Sequence, residues 1–421
     1  MSEHPPAPVS SPRRVGARWF LLFTLAWLAL WTAQLTPLQL LIPLQLNTSD
    51  DADGWISGVV SSGLVLAVGG LAGVVAGPLA GGLSDRTRGA RRRPWAVGGV
   101  VLAAASLVGI AFATGPWGVG LAWIGVSVGL AVASAAFAAL IADQLTDQRG
   151  AASAAVSSSQ ALGIVVGVGV IVLLGLGVVA GYLLLAAFVL MAGVAAALLL
   201  PDPPAPEAAT TARGARGRRR AALRDHDFFW LLAGRLIVNI GNALGTALLL
   251  FFLLYGLHRD PAGAEDELLL LIVIYTVFVV AASIVAGRVS DRSGKRFVMT
   301  ALSAVVQGIA SLALAVFPSF ATTMIAAALL GVGYGAYMAV GFALATELLP
   351  FPDDSARDLG IVNVVAALGQ LLGPVIGAGL VALSGGFGLL FAVGGALSIV
   401  GGLMTYAIRV RPEAPPGSAA H

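Results

Sequence analysis

The chain has 421 residues, of which 58% are hydrophobic and only 11% charged, and its mean hydropathy is +0.92. So little charge cannot clothe a water-soluble protein of this length, and the solvent for most of the chain is therefore lipid. The formal net charge of +3 does not mark a nucleic-acid binder, because the arginines lie in short loops between apolar runs with no interleaved aromatic residues for base stacking.

Cysteine is absent, which excludes disulfides and thiolate metal sites. His4, His226, His258 and His421 all fall in loops or tails, so no imidazole is placed inside the membrane to relay protons or bind metal. No cofactor and no metal are expected. One lysine accompanies 23 arginines, a usage that suits a GC-rich bacterial genome.

Residues 1–18 are polar and proline-rich, with Arg13, Arg14 and Arg18 ahead of the first apolar run, and read as a disordered cytoplasmic tail. The run that follows is too long for a signal-peptide core and has no small-residue cleavage site, so it reads as a membrane helix. Crossing the hydrocarbon core takes about 20 apolar residues. Segments of that length stand at 19–42, 55–82, 95–114, 117–141, 151–175 and 178–200. After a gap they recur at 228–256, 266–287, 296–317, 319–346, 358–383 and 386–408.

Of the 24 Arg and Lys residues, 22 lie in the tails or in loops on the tail side; Arg259 lies opposite and Arg235 within the seventh segment. The far-side loops carry Asp50, Asp51 and Asp53, then Asp260, Glu265, Asp266 and Glu267. The cation bias makes both termini cytoplasmic. Residues 201–227 start Pro-Asp-Pro-Pro and continue into Arg213, Arg216, Arg218, Arg219, Arg220 and Arg224. With no apolar face, they read as a basic cytoplasmic linker attracted to anionic headgroups. Residues 409–421 form a second disordered tail.

Two stretches repeat across the gap. Gly81-Gly-Leu-Ser-Asp85-Arg86-Thr-Arg-Gly89-Ala-Arg91-Arg92-Arg93 is echoed by Gly287-Arg-Val-Ser-Asp291-Arg292-Ser-Gly294-Lys295-Arg296, each between two apolar segments. In the fifth segment Gln160-Ala-Leu-Gly163-Ile-Val-Val-Gly167 has the form Q-x2-G-x3-G, and Gln370-Leu-Leu-Gly373-Pro374-Val-Ile-Gly377 repeats it in the eleventh. A duplicated membrane unit is how many transporters are built. The expectation is an all-α membrane protein of twelve transmembrane helices in two pseudo-symmetric six-helix bundles, 19–200 and 228–408. Glycines four apart let helix backbones approach closely, whereas Gln160 and Gln370 either face a water-filled pathway or join that packing.

An ionisable group within a bilayer costs roughly 2.5–3.5 kcal/mol on insertion scales and is a functional candidate for that reason. Arg235 is the one deep in a span, and with Asn239, Asn242 and Thr246 it follows a 4, 3, 4 spacing that places all four on one helix face. The alternative is that Arg235 snorkels to the cytoplasmic interface. The first segment offers Thr32, Thr36 and Gln39, with Trp31 and Gln34 nearby, and the tenth offers Tyr334 and Tyr337. Amides, hydroxyls and rings with little charge suit a neutral hydroxylated solute such as a sugar. Asp143 and Glu347, at matching ends of the fourth and tenth segments, are candidates for ion coupling or for a structural role at a gate. Proton and sodium coupling both stay open.

With twelve spans, a central basic linker and this repeated loop, the chain resembles the major facilitator superfamily over essentially its full length. The loop between the second and third spans matches that family's motif, roughly G-x3-D-R-x-G-R-[KR]; the copy at 287–296 fits without gaps and the copy at 81–93 carries an insertion. Its arginine triplet followed by Pro94 is similar to the sugar-transporting branch of sucrose, glycoside and pentoside carriers. The resemblance implies a cytoplasmic latch made by Gly81, Asp85, Arg86 and Arg92 in one half and Gly287, Asp291, Arg292 and Arg296 in the other. It also implies a central cavity lined by the first, fourth, seventh and tenth helices, which places Gln34, Thr36, Gln39, Arg235, Asn239, Asn242, Tyr334 and Tyr337 on the substrate surface. The fourth-span arginine and fifth-span glycine-proline motif of the proton antiporters are missing.

The function read from this is a secondary active transporter moving a sugar or glycoside-like solute across the bacterial cytoplasmic membrane by alternating access, working as a monomer. An exporter of lipophilic compounds and a non-transporting membrane sensor are the alternatives, and nothing supports an enzyme. Asp85→Asn is expected to impair transport while leaving insertion and folding intact; unchanged transport kinetics would exclude the latch role of Asp85.

Overall fold

In a computed structural model the chain is described over residues 15–47, 54–86, 92–145, 148–202, 224–349 and 355–409. Among these residues there is no β-strand and there are twelve helices long and apolar enough to cross a membrane. In chain order they are α1 Ala17–Leu46, α2 Gly54–Arg86, α3 Arg93–Ala111, α4 Gly115–Gln144, α5 Arg149–Leu173 and α6 Val178–Leu199. Then come α7 His226–Gly256, α8 Pro261–Ser293, α9 Arg296–Val316, α10 Phe320–Glu347, α11 Ser355–Ser384 and α12 Gly388–Ala407. Helices are the form that satisfies every backbone polar group inside one segment when no water is present to do so. The tails, most of the linker and the far-side aspartates 50, 51 and 53 lie outside the described residues.

Most spans match their apolar runs closely. α8 is longer than its run because Glu265, Asp266 and Glu267 sit in its second turn rather than in a loop. Carboxylates there complement the positive end of the helix, and Glu267 also pairs with Arg259 at 3.1 Å.

Two helices depart from α geometry. α1 widens into a π turn at Pro37–Leu41, where the proline cannot supply an N–H to the preceding turn. α7 is interrupted at Ala247 and Leu248 and ends in a π turn at Phe252–Gly256.

The chain divides into two compact units. Unit 1 comprises residues 1–210, 247–273 and 374–385, and unit 2 comprises 211–246, 274–373 and 386–421. The divisions fall at the interruption of α7, within α8 and at Pro374 inside α11.

Unit 1 packs α3 on α4 and α6, α2 on α4, and α1 on α5 and α6. The crossings are close because glycine leaves no side chain between backbones. A Cβ on Gly99 would fall 2.6 Å from the Ala133 nitrogen and the Gly129 oxygen, and one on Gly129 would fall 2.6 Å from the Ala103 nitrogen. Gly163 and Gly167 seat α5 on Trp31, Thr32 and Thr36 of α1. At one end of the unit Tyr255 donates its hydroxyl to Asn47, which follows α1, and stacks on Trp55 with centroids 5.0 Å apart.

Unit 2 repeats the pattern: α9 packs on α10 and α12, and α7 on α12. A Cβ on Gly308 would fall 2.7 Å from the Gly395 oxygen, and one on Gly373 would collide with Ala243, so α11 sits closely on α7 there. The apolar residues left exposed, among them Leu71 and Leu79 on α2 and Val277 and Val285 on α8, form the lipid-facing surface.

Gly129→Ala places a methyl group against backbone that cannot move aside. It should destabilise the protein by about 1–3 kcal/mol, read as a lower unfolding temperature in detergent. Gly77→Ala, where a Cβ would meet nothing within 4 Å, should be neutral.

Candidate solute site and loop latch

Unit 2 carries a connected polar network on α7. Asn239 is fully buried and Asn242 nearly so. The Asn239 amide donates Nδ2–H to the Arg235 carbonyl one turn earlier at 2.8 Å, which fixes its orientation and turns Oδ1 outward. That oxygen accepts from the Tyr334 hydroxyl of α10 at 3.2 Å and from Gln370 Nε2 of α11 at 3.4 Å. Gln370 also donates to the Tyr334 oxygen at 3.2 Å. One turn on, Asn242 Oδ1 accepts from the Tyr275 hydroxyl of α8 at 3.3 Å. The Tyr275 and Tyr334 rings stack at 6.4 Å, 27° apart. Thr246, at the end of the stripe, spends its hydroxyl on the Asn242 carbonyl at 3.0 Å.

Four helices thus present two amides, a third amide at Gln370 and two phenols in one place. Gln370 is exposed, so the network has an open end. Tyr337 does not join it: it is buried with Val238, Ala304 and Met338. Arg235 is 1% exposed, and its Nη2 reaches only the Met338 sulfur at 3.8 Å.

The first-helix face expected from the sequence is divided. Thr32 is buried and donates to the Gly163 carbonyl at 3.2 Å, and Thr36 is buried against Gly167. Both belong to the α1–α5 seam, because residues four apart fall on the side where the glycines let α5 come closest. Gln34 is exposed and Gln39, inside the π turn, is half-buried. Gln160 is exposed on α5. Four aromatic residues four apart form a ladder along α1: Trp19 stacks on Phe23 at 4.7 Å, and Trp27 and Trp31 continue it.

The described residues of the repeated loop make different contacts in the two units. In unit 2, Gly294 (φ +65°) ends α8 with its N–H on the Ser290 carbonyl at 3.0 Å. Arg296 then opens α9, and its guanidinium reaches Asp291 at 3.6 Å and also bonds Glu347 at the end of α10. Each carboxylate stands at the negative end of a helix and the arginine at a positive end, so all three charges are misplaced against their own helix dipoles. Pairing them cancels the misplacement. Glu347, a candidate for ion coupling, is therefore held in the loop structure. Arg292 is exposed, and a Cβ on Gly287 would meet nothing within 4 Å.

In unit 1 the start of α3 is tied to the end of α6. Asp202 accepts from the backbone N–H of Arg92 at 2.8 Å and of Arg93 at 3.2 Å, capping α3. Arg93 returns its side chain to the Ala197 and Leu200 carbonyls at 3.0 and 3.3 Å, capping α6. The side chain of Arg92 is buried, and Gly81 lies within α2. The side chains of Asp85, Arg86 and Asp143 lie outside the described residues.

The sequence profile of the Major Facilitator Superfamily matches residues 3–167, 57–264 and 236–421. The chain belongs to this superfamily. It is a multi-pass membrane transporter and not an enzyme. Similar solved structures are a D-xylose–proton symporter (16% identity, TM-score 0.71, covering 92% of this chain and 97% of that one) and the nucleoside transporter NupG (15%, 0.75, 93% and 99%). A POT family transporter in complex with a thioalcohol-conjugated peptide is also similar (13%, 0.69, 91% and 94%). At these identities the likeness is one of fold. Among curated proteins, the multidrug resistance protein MdtL of Klebsiella pneumoniae (strain 342) is 29% identical over 172 residues, 39% of this chain. The match spans 43% of that protein's length.

Sequence reading missed Tyr275, Arg93 and Asp202. A tyrosine amid the apolar run of α8 was a visible signal for the first. Asp202 stood between two prolines directly after an apolar run, a helix stop whose distant partner no spacing reveals.

Arg296→Gln should lower stability by no more than about 1 kcal/mol, because Asp291 and Glu347 are 73% and 52% exposed. The drop should be absent when Arg296→Gln is made in a Glu347→Gln, Asp291→Asn background, measured by thermal unfolding in detergent.

Proposed function

We propose that this transporter is a secondary carrier of a small hydroxylated solute, of sugar or glycoside type, in the bacterial inner membrane. It works by alternating access with both termini in the cytoplasm. The observation that carries the reading is the Asn239–Tyr334–Gln370 network with Tyr275 and Asn242 beside it. Its members are neutral, donate and accept together, and include two rings that offer flat faces. A sugar needs this combination, with apolar ring faces to stack on and hydroxyls that each want a donor and an acceptor. Before solute arrives the amides and phenols satisfy one another, so the network is not left with unmade bonds in hydrocarbon. The gating role of the repeated loops and the coupling ion, proton or sodium, are part of the same proposal.

A second reading has its own support. The partial relative MdtL carries the name of a multidrug resistance protein, and an exporter would use α7 and α10 as an apolar wall with the polar network as packing.

The test is a thermal-shift screen of the purified protein against neutral sugars and glycosides on one side and lipophilic cations on the other. A ligand present at 100 times its Kd stabilises by about 2.7 kcal/mol. Stabilisation by a sugar, lost in Asn239→Ala and Gln370→Ala, is the expected result. Stabilisation by lipophilic compounds alone, unchanged in those variants, would replace it with the exporter reading. Sugar flux into liposomes then separates a carrier from a sensor.

A further inference from the structure

Arg235 is out of place in this site. The residue is only 1% exposed, so its side chain does not snorkel to water. Arginine stays charged under all ordinary conditions. Yet among the described residues no carboxylate lies within 4.0 Å of it, Nε has no hydrogen-bond partner, and the one acceptor of Nη2 is the weak Met338 sulfur. A buried charge without a partner is among the most unfavourable features a bundle can hold. Arg235 lies one turn before Asn239 on the same face of α7, directly below the amide and phenol network.

The surroundings point the same way. A Cβ on Gly341 of α10 would stand 3.7 Å from Nη1, 3.8 Å from the Thr300 methyl and 4.0 Å from the Tyr337 ring, so the absence of a side chain there leaves room for about one methyl group beside the guanidinium. The Thr300 hydroxyl is buried without a partner. A guanidinium fork without an acidic partner is the donor set for a carboxylate.

We propose that Arg235 holds the carboxylate of the transported solute, and that the solute is a sugar acid rather than a neutral sugar. The hydroxyl-bearing part lies on Asn239, Tyr334 and Gln370, and the acid reaches down to Arg235. This rests on the reading of the α7 network as a sugar surface. The carboxylate arrives with the countercharge that the chain does not supply, so solute binding removes the uncompensated charge.

The experiment titrates purified wild-type protein by thermal shift with matched pairs, glucuronate against glucose and galacturonate against galactose, and with acetate and octanoate, at fixed ionic strength. The expected result is at least a tenfold tighter apparent affinity for each acid than for its neutral partner. Arg235→Gln should abolish that preference and Arg235→Lys should weaken it, since an ammonium cannot form the two parallel bonds. Without ligand, Arg235→Gln should unfold at a higher temperature than wild type, because it removes an unpaired buried charge. Equal affinity for acid and neutral sugars, or a preference that survives in Arg235→Gln, overturns the proposal and leaves the sugar site standing. A lower unfolding temperature for ligand-free Arg235→Gln also overturns it, since the charge would then have a partner within the chain. Binding of octanoate or acetate alone, lost in Arg235→Gln, would keep the carboxylate site and overturn the sugar surface. No shift with any anion would overturn the carboxylate site itself.

Discussion

In a bilayer the apolar side chains of a helix gain nothing by leaving lipid for a neighbouring helix, so the force that assembles a soluble core is missing. What remains is close contact, and in this protein close contact is made by glycine. At Gly99 with Gly129, at Gly308 with Gly395 and at Gly373 with Ala243, the facing atoms are backbone or a single methyl group. Helices brought this near exchange dispersion along their whole length, and they also fix which faces remain for other uses. The polar network on α7 exists because α11 is seated so closely at Gly369 and Gly373 that Gln370, between them, reaches Asn239.

The same constraint explains which parts of the structure were legible in the sequence. Span number and helix type follow from the thickness of the hydrocarbon and the demand that backbone groups be satisfied, both of which act on one segment at a time. The duplication was legible for a similar reason: each loop copy is written out in consecutive residues. On α7 the spacing of Arg235, Asn239, Asn242 and Thr246 puts all four on one face, since angular position is a property of a single helix. On α1 the same reasoning grouped Thr32, Thr36 and Gln39. It could not say that the side carrying Thr32 and Thr36 meets Gly163 and Gly167 of another helix, nor that the π turn at Pro37 shifts the register before Gln39. Tyr334 and Tyr337, three apart on α10, part company for the same reason: one meets α7 and α11, the other packs among Val238 and Ala304. Periodicity locates a residue on its own helix, and the neighbour decides what the residue does.

Charge is handled in two opposite ways within unit 2. At the loop, Arg296, Asp291 and Glu347 are each on the unfavourable end of a helix and each exposed or half-exposed, and together they neutralise one another. Water screens the arrangement, so it is weak and easily exchanged. Arg235 has neither water nor an acid within the described residues. A group in that condition opposes folding, and a residue that breaks a local rule in this way marks a candidate functional position. On the proposal that Arg235 holds the carboxylate of the solute, the contrast would also give the site a direction. An anion drawn to Arg235 gains most once water is gone and the dielectric is low, so the attraction is strongest after the site has closed around its solute. A closed, empty carrier would bury the bare guanidinium again, and the return step is the one this charge opposes. A carrier so built would favour closing when loaded over closing when empty, and that asymmetry is the physical requirement for coupling solute to conformational change.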